Sequence, residues 1–154
     1  MENSGIIFGN KILDVVFLAW FAAQFYKVIH SIILEKRLVI SQLWETGGMP
    51  SSHTATVSAL ATAVGITYGL QSPIFAVSIV FAIVVMSDAA GIRRAAGKHA
   101  GMLNKLHDSL KNLLENKFHQ EQLKELLGHT PVEVLVGAVL GVAIALLMYS
   151  NIFN

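Results

Sequence analysis

Four long apolar segments, separated by shorter polar stretches, dominate this chain. They cover residues 12–34, 53–70, 73–92 and 131–153, and each approaches or exceeds the roughly 20 residues that a helix needs to cross a bilayer. The pattern predicts four transmembrane α-helices, which we place in a single transmembrane domain over residues 1–154.

Residues 102–127 follow a different pattern, in which leucines recur at helical spacing between charged residues. This spacing is typical of an amphipathic helix, and we expect a short second helix to follow it and end near Gly128. The segment either lies on the membrane surface, covers a site, or packs against the bundle. The predicted fold is therefore all-α: an integral membrane helical bundle of about four transmembrane helices plus an amphipathic helix.

The composition agrees with a membrane protein, because 54% of the residues are hydrophobic and only 14% are charged. Soluble domains carry nearer a quarter of charged residues. The chain has no cysteine, which excludes disulfides, a thiol nucleophile and a cysteine-ligated metal. The net charge of +1 gives no electrostatic signal for nucleic acid, and we expect no nucleic-acid partner.

The basic residues orient the chain across a membrane. All lysines and arginines except Lys11 and Lys27 fall between the first and second spans or between the third and fourth. Because cytoplasmic loops carry the excess of Lys and Arg, we expect these two loops on the cytoplasmic side of the cell membrane and both termini outside. Within the first span, Lys27 either reaches out to the interface or points into a polar site together with Gln24 and Ser31.

A polar turn at Gly47–Thr54 separates the first two spans. Its two glycines permit positive φ, and Pro50 suits the first turn of a helix. Ser51 and Ser52 can cap the amides there, and these amides together with the helix dipole favour an anion. His53 lies in the same first turn. The stretch is either a phosphate site with a proton donor or a plain turn with serine caps.

The fourth span opens with a second histidine, His129, followed by Thr130, Pro131 and Glu133. Thr130 and Glu133 have the spacing of a capping box, with Pro131 at the first helical position. Glu133 also stands four residues after His129, where a carboxylate orients an imidazole and stabilises its charged form. The two uses of this carboxylate are partly exclusive in our interpretation, and the sequence does not choose between them.

Charged residues and glycines mark the remaining candidate positions. Asp88 lies near the end of the third span, where an intramembrane acid indicates a functional site. A basic cluster follows it, in which Arg94 and Lys98 share a helical face, and this cluster includes Arg93. In the fourth span, the Gly-x-x-x-Gly pattern of Gly137 and Gly141 suits tight helix packing or a homodimer.

Two histidines at helix starts on one membrane face, with a basic cluster between them in sequence, fit phosphoryl transfer. The cations would neutralise the phosphate oxygens, one histidine would attack phosphorus and the other would protonate the leaving oxygen. A divalent metal bound by His53, His129, Asp88 and Glu133 is the alternative. No ligand spacing supports that metal site, and we expect neither a metal nor a cofactor.

These motifs resemble the type 2 phosphatidic acid phosphatase and vanadium haloperoxidase superfamily. Pro50–His53 looks like its Pro-Ser-Gly-His motif, and His129-x-x-x-Glu133 is similar to the end of its last motif. The residues Gly-Gly-Met-Pro-Ser-Ser-His, Asp-Ala-Ala-Gly-Ile-Arg-Arg-Ala-Ala-Gly and Gly-His-Thr-Pro-Val-Glu-Val resemble more closely a divergent branch described as acid phosphatase and haloperoxidase related. The first superfamily motif, Lys-x6-Arg-Pro, and the Ser-Arg of the last motif are absent.

The resemblance implies a metal-independent membrane hydrolase acting on a lipid phosphate. It makes His129 the nucleophile and His53 the acid, while Ser51, Ser52, Asp88 and the cluster of Arg93, Arg94 and Lys98 are the expected substrate-binding residues. Isoprenyl or glycerolipid phosphates and diphosphates are the expected substrates. One alternative is a non-catalytic protein that binds or transports a lipid phosphate or an anion. Another is a structural partner in a membrane complex.

Overall fold

The computed structural model describes residues 5–35, 48–113 and 129–153, and the regular structure in these ranges is entirely helical. The predicted all-α fold is confirmed. The elements are α1 (Lys11–Glu35), α2 (Ser52–Tyr68), α3 (Pro73–Ser87), a π-helical segment (Asp88–Ile92), α4 (Arg93–Leu113) and α5 (Pro131–Asn151).

Three helical stretches in the described ranges are long and apolar enough to cross a membrane: Lys11–His30, Pro73–Leu110 and Pro131–Asn151. The predicted second span is shorter than expected, because α2 has 17 residues and is therefore about 25 Å long at 1.5 Å per residue. The bilayer core is nearer ~30 Å thick. This short helix lies at the centre of the bundle and packs against α1, α3 and α5.

The helix predicted over residues 102–127 is not a separate element in the part that the structure describes. The chain continues without a break from α3 through the π-helical segment into α4, which ends at Leu113. The second part of the predicted amphipathic stretch, residues 114–128, lies outside the described residues. Apart from the π-helical segment before it, α4 has no extensive contact with another described element, so it extends away from the bundle.

Small residues let α5 lie directly against α2. A Cβ on Gly137 would stand 2.5 Å from the Ser51 carbonyl oxygen, and a Cβ on Gly141 would stand 2.2 Å from that of Ala55. The Gly-x-x-x-Gly face is therefore used for tight packing within the chain. The homodimer stays a prediction, and it would need a different surface.

We expect the Gly141→Ala variant to lose stability, because its new methyl group meets backbone atoms that cannot move aside alone. Overpacking of this kind typically costs about 1–3 kcal/mol. The thermal unfolding midpoint in detergent measures the loss. Gly91→Ala is the matched control, since a Cβ there meets nothing within 4 Å. Equal midpoints for the two variants would contradict this packing.

The two ends of the bundle use their polar residues differently. At one end, the buried carboxylate of Asp14 accepts the backbone N–H groups of Ile6, Ile7 and Phe8, so this acid fixes the chain that enters α1. Lys11 donates to the carbonyl of Phe153 at the same end. The opposite end brings together the start of α2, the π-helical segment and the start of α5, and both candidate histidines lie there.

Candidate functional site

The start of α2 is fixed by one serine. Ser51 has an extended backbone, is completely buried, and its Oγ accepts the backbone N–H of Thr54 at 3.4 Å and the Thr54 hydroxyl at 3.0 Å. Gly48 has a φ of +75°, as its expected role in a tight turn requires. Pro50 was expected in the first helical turn, and this is wrong: Ser51 is the N-cap, so the helix begins at Ser52.

The start of α5 forms the expected capping box and also holds the ring of His129. Thr130 Oγ1 accepts the backbone N–H of Glu133 at 3.3 Å, and Glu133 Oε2 accepts that of Thr130 at 3.2 Å. The same Oε2 lies 2.9 Å from Nδ1 of His129. Capping and ring orientation were interpreted as partly exclusive, and this is wrong, because one carboxylate oxygen serves both.

This arrangement defines the hydrogen-bonding roles of the His129 ring. An ionised carboxylate can only accept hydrogen bonds, so Nδ1 carries the proton and donates it to Oε2. In the neutral imidazole, the lone pair then lies on Nε2. The ring is 4% exposed, so this nitrogen is held inside the protein and not in bulk water.

Two backbone hydrogen bonds attach this segment to its neighbours. The N–H of His129 donates to the carbonyl of Ala89 at 3.1 Å, and the N–H of Ser51 donates to the carbonyl of Glu133 at 3.1 Å. Ala89 belongs to the π-helical segment, whose i→i+5 pairing differs from that of an α-helix and is frequent at functional sites. These two hydrogen bonds fix the position of the start of α5 relative to the start of α2 and to the π-helical segment that follows α3.

A cavity of about 280 Å³ lies where these three elements meet. His53, Asp88 and His129 line it together with Val84, Val85 and Ala89. The structure therefore brings together the two histidines and the acid that the sequence pointed out. The volume is slightly below the ~300–1,000 Å³ of typical small-molecule pockets, which suits a head group better than a whole lipid.

The structure places the expected substrate-binding residues in different environments. Ser51 and Ser52 are buried at the start of α2, and neither is among the residues that line the cavity. The Ser51 hydroxyl contacts that of Thr54, and the Ser52 hydroxyl contacts Lys27. Lys98 is exposed on α4 and is not among the residues that line the cavity. The side chains of Arg93 and Arg94 lie outside the described part of the chain, so their contact with a phosphate stays a prediction.

Lys27 is the residue that our sequence reasoning left out of the site. It is 6% exposed, and its Nζ lies 3.5 Å from Oγ of Ser52. Of the two positions open to it, the polar interior is the one that it takes. The available signal was its place inside an apolar span on one helical face with Gln24, which is also buried.

Among residues 5–35, 48–113 and 129–153, no three His, Cys, Asp or Glu side chains come together in a way that could hold a metal ion. His53, Asp88 and His129 share a cavity without forming such a group.

Comparison with known proteins gives two matches. A family model described as the Divergent PAP2 family matches residues 8–144. The uncharacterized membrane protein YuiD of Bacillus subtilis (strain 168) is 42% identical over 135 residues, which cover 82% of this chain and 85% of that protein. No solved structure gives a significant match. The family match spans every residue that lines the cavity.

Proposed function

Because this chain belongs to the Divergent PAP2 family, we propose that it is a membrane lipid-phosphate phosphatase that works through a phosphohistidine at His129. One observation carries the proposal: Glu133 Oε2 holds the Nδ1–H of His129 at 2.9 Å, which leaves Nε2 as the nucleophilic atom. His53, which lines the same cavity, supplies the proton.

The proposed reaction has two steps. In the first, the lone pair of His129 Nε2 attacks phosphorus, the phosphorus–oxygen bond to the lipid breaks, and the leaving oxygen takes a proton from His53. In the second, water gives a proton to His53 and attacks phosphorus, the phosphorus–nitrogen bond breaks, and inorganic phosphate leaves. Asp88 in the same cavity offers a carboxylate to orient His53, and Arg94 and Lys98 are proposed to neutralise the phosphate.

An apolar groove supports a lipid as the substrate. It has a volume of about 640 Å³ and lies between α2, α3 and α5, the same helices that position the cavity. Four small residues leave room for this groove, and Ile79 adds apolar surface to it. The small residues are Ala61, Gly65, Ala82 and Ala138. A hydrocarbon chain in this groove would leave its phosphate at the histidine end of the bundle. Isoprenyl and glycerolipid phosphates or diphosphates are the proposed substrates.

Phosphate release by the purified protein tests this function. Isoprenyl and glycerolipid phosphates should release inorganic phosphate, equally with and without a chelator, because no metal takes part in the proposed steps. Saturable binding of the same lipids without release would instead favour a non-catalytic binding or transport protein. If the protein neither binds these lipids nor releases phosphate from them, the result would contradict the proposal and favour a structural role.

We expect the His53→Ala variant to depend strongly on the leaving group. General acid catalysis typically contributes ~10²–10⁴-fold, so hydrolysis of an alkyl or isoprenyl phosphate should fall by that factor. An aryl phosphate with a good leaving group needs no proton for its departure, and its phosphorylation step should fall much less. Pre-steady-state rates with the two substrates measure the difference, and equal losses for both would remove His53 from the role of acid.

We also propose that the cavity faces the cytoplasm, on the basis of the basic residues in the two loops. Since the chain has no cysteine, single cysteines can report the orientation. A cysteine at the exposed Gln71, in the turn between α2 and α3, should react with an impermeant thiol reagent in intact cells. A cysteine at the exposed Lys105 should react only after permeabilisation. The reverse pattern would place the cavity outside.

A further inference from the structure

Ser58, in the middle of α2, carries a buried hydroxyl with no hydrogen-bond partner among the described residues. The residue is 5% exposed. Three threonines of the same helix, Thr56, Thr62 and Thr67, each donate their hydroxyl to the carbonyl four residues earlier. Ser58 is the exception to this pattern. Because an unpaired buried donor is destabilising, its hydroxyl calls for an acceptor from outside the described structure.

This hydroxyl group belongs to the apolar groove between α2, α3 and α5. Ser58 is the lining residue of α2 nearest to the start of that helix, and Met86 is the lining residue of α3 nearest to its end. Both mark the end of the groove that is closer to the histidine cavity. Thr62 is the other hydroxyl residue in the lining, and it already donates to the Ser58 carbonyl at 2.8 Å. The unpaired donor therefore stands where the groove approaches the cavity.

The spacing along α2 matches the position of an ester in a glycerolipid phosphate. Ser58 follows His53 by five residues, a rise of about 7–8 Å along the helix. In such a lipid, five or six bonds join phosphorus to the two ester carbonyl carbons, which is roughly 6–8 Å if three bonds span ~3.8 Å, as in an extended backbone. A phosphate beside the histidines would thus bring an ester carbonyl to the level of Ser58.

We propose that Ser58 is the specificity-determining residue of the groove, and that its hydroxyl donates a hydrogen bond to the ester carbonyl of an acyl glycerolipid phosphate. An ether-linked chain lacks that carbonyl, and an isoprenyl chain is a hydrocarbon at this depth. Both would leave the buried donor unpaired, which is how a polar group in a pocket discriminates between ligands. The inference rests on the proposed function for the position of the phosphate, whereas the unpaired hydroxyl in the groove stands without it.

A pair of phosphonate lipids tests this inference by affinity alone. In both probes a CH2 group replaces the oxygen between glycerol and phosphorus, so no phosphate can be released. One probe carries two acyl esters and the other carries the matching ether-linked alkyl chains. In detergent, the wild type should bind the diacyl probe about three- to tenfold more tightly, the scale of one net hydrogen bond. Ser58→Ala should bind both probes equally, with the wild-type dissociation constant for the dialkyl probe.

Thr62→Val is the matched control, because it removes the other hydroxyl of the groove, which is already bonded to the backbone. It should keep the preference for the diacyl probe. Equal affinities of the wild type for the two probes would overturn the proposal. So would a preference that survives in Ser58→Ala, or an equal weakening of both probes in that variant, since neither result comes from a hydrogen bond to the carbonyl.

Thermal unfolding without lipid gives a second, independent test. Ser58→Ala removes an unpaired donor and keeps a small side chain, so its midpoint should equal or exceed that of the wild type. A clearly lower midpoint would show that the hydroxyl has a partner within the protein, and this would overturn the proposal.

The affinities also separate the inference from the proposed phosphatase activity. A diacyl preference that depends on Ser58, in a protein that releases no phosphate from the corresponding diacyl phosphate, would support the inference and contradict the activity. Phosphate release without any difference between ester and ether lipids would support the activity and overturn the inference.

Discussion

The His129→Asn variant should lose nearly all phosphatase activity, with a fall of roughly 10³–10⁶-fold in turnover, the scale seen when a covalent nucleophile is removed. Asparagine keeps an N–H donor that can reach the Glu133 carboxylate, so the start of α5 should stay folded. It has no nitrogen lone pair to take the place of Nε2. Initial rates of phosphate release from a lipid phosphate at saturating concentration measure the effect.

The matched control for this variant is His99→Asn, which changes an exposed histidine on α4, away from the cavity. It should keep the wild-type rate. If His129→Asn retains more than about a tenth of wild-type turnover while remaining folded, the covalent mechanism is wrong, because loss of the nucleophile should cost far more.

The Glu133→Gln variant should separate the helix-capping role of this carboxylate from its role in orienting the His129 ring. Glutamine also serves at this position of a capping box, so the thermal midpoint should change little. The activity should fall by about 10³–10⁴-fold, the scale seen when an acidic partner of a catalytic histidine becomes neutral. The cause is that an amide neither stabilises the charged ring nor enforces the proton on Nδ1.

Turnover and thermal unfolding of the same preparation decide this prediction. Thr130→Val is the useful comparison, since it removes only the hydroxyl that accepts the N–H of Glu133. It should lower stability by about 0.5–2 kcal/mol, the usual cost of losing an N-cap, with a smaller effect on activity. If Glu133→Gln loses stability and keeps its turnover, the carboxylate serves the helix alone.

Local chemistry explains what could be predicted from the sequence. The helix start at Pro131 follows from the cap at Thr130 and Glu133, and hydropathy alone located the apolar segments. The meeting of His53, Asp88 and His129 also followed from one simple idea, that helix ends on one membrane face lie close together. These features need no knowledge of which helix packs against which.

The features that the sequence left open or did not predict depend on tertiary packing. The burial of Lys27 results from the contact of α1 with α2, and the partner of Gly137 and Gly141 is α2 in the same chain. The π-helical segment has no recognised sequence signal, yet its Ala89 carbonyl holds the backbone of His129.

A geometric detail explains why the dual use of Glu133 was missed. Capping and ring orientation would compete only if the carboxylate could accept from a single donor. Oε2 alone accepts from both His129 and Thr130, since a carboxylate oxygen has two lone-pair positions. The capping box therefore fixes the orientation of His129, and the helix start is part of the candidate active site.

The most direct test of the account is detection of phosphate on His129. The His53→Ala variant should be mixed with an activated aryl phosphate. Phosphorylation of His129 by this substrate needs no acid, whereas hydrolysis of the phosphohistidine lacks the base that His53 would provide. We expect a phosphohistidine to accumulate within one turnover, and we expect mass spectrometry under neutral conditions to place the phosphate on residue 129. We also expect no such adduct in the His53→Ala/His129→Asn double variant. Rapid hydrolysis with no phosphorylated protein, or phosphate on another residue, would contradict the central claim.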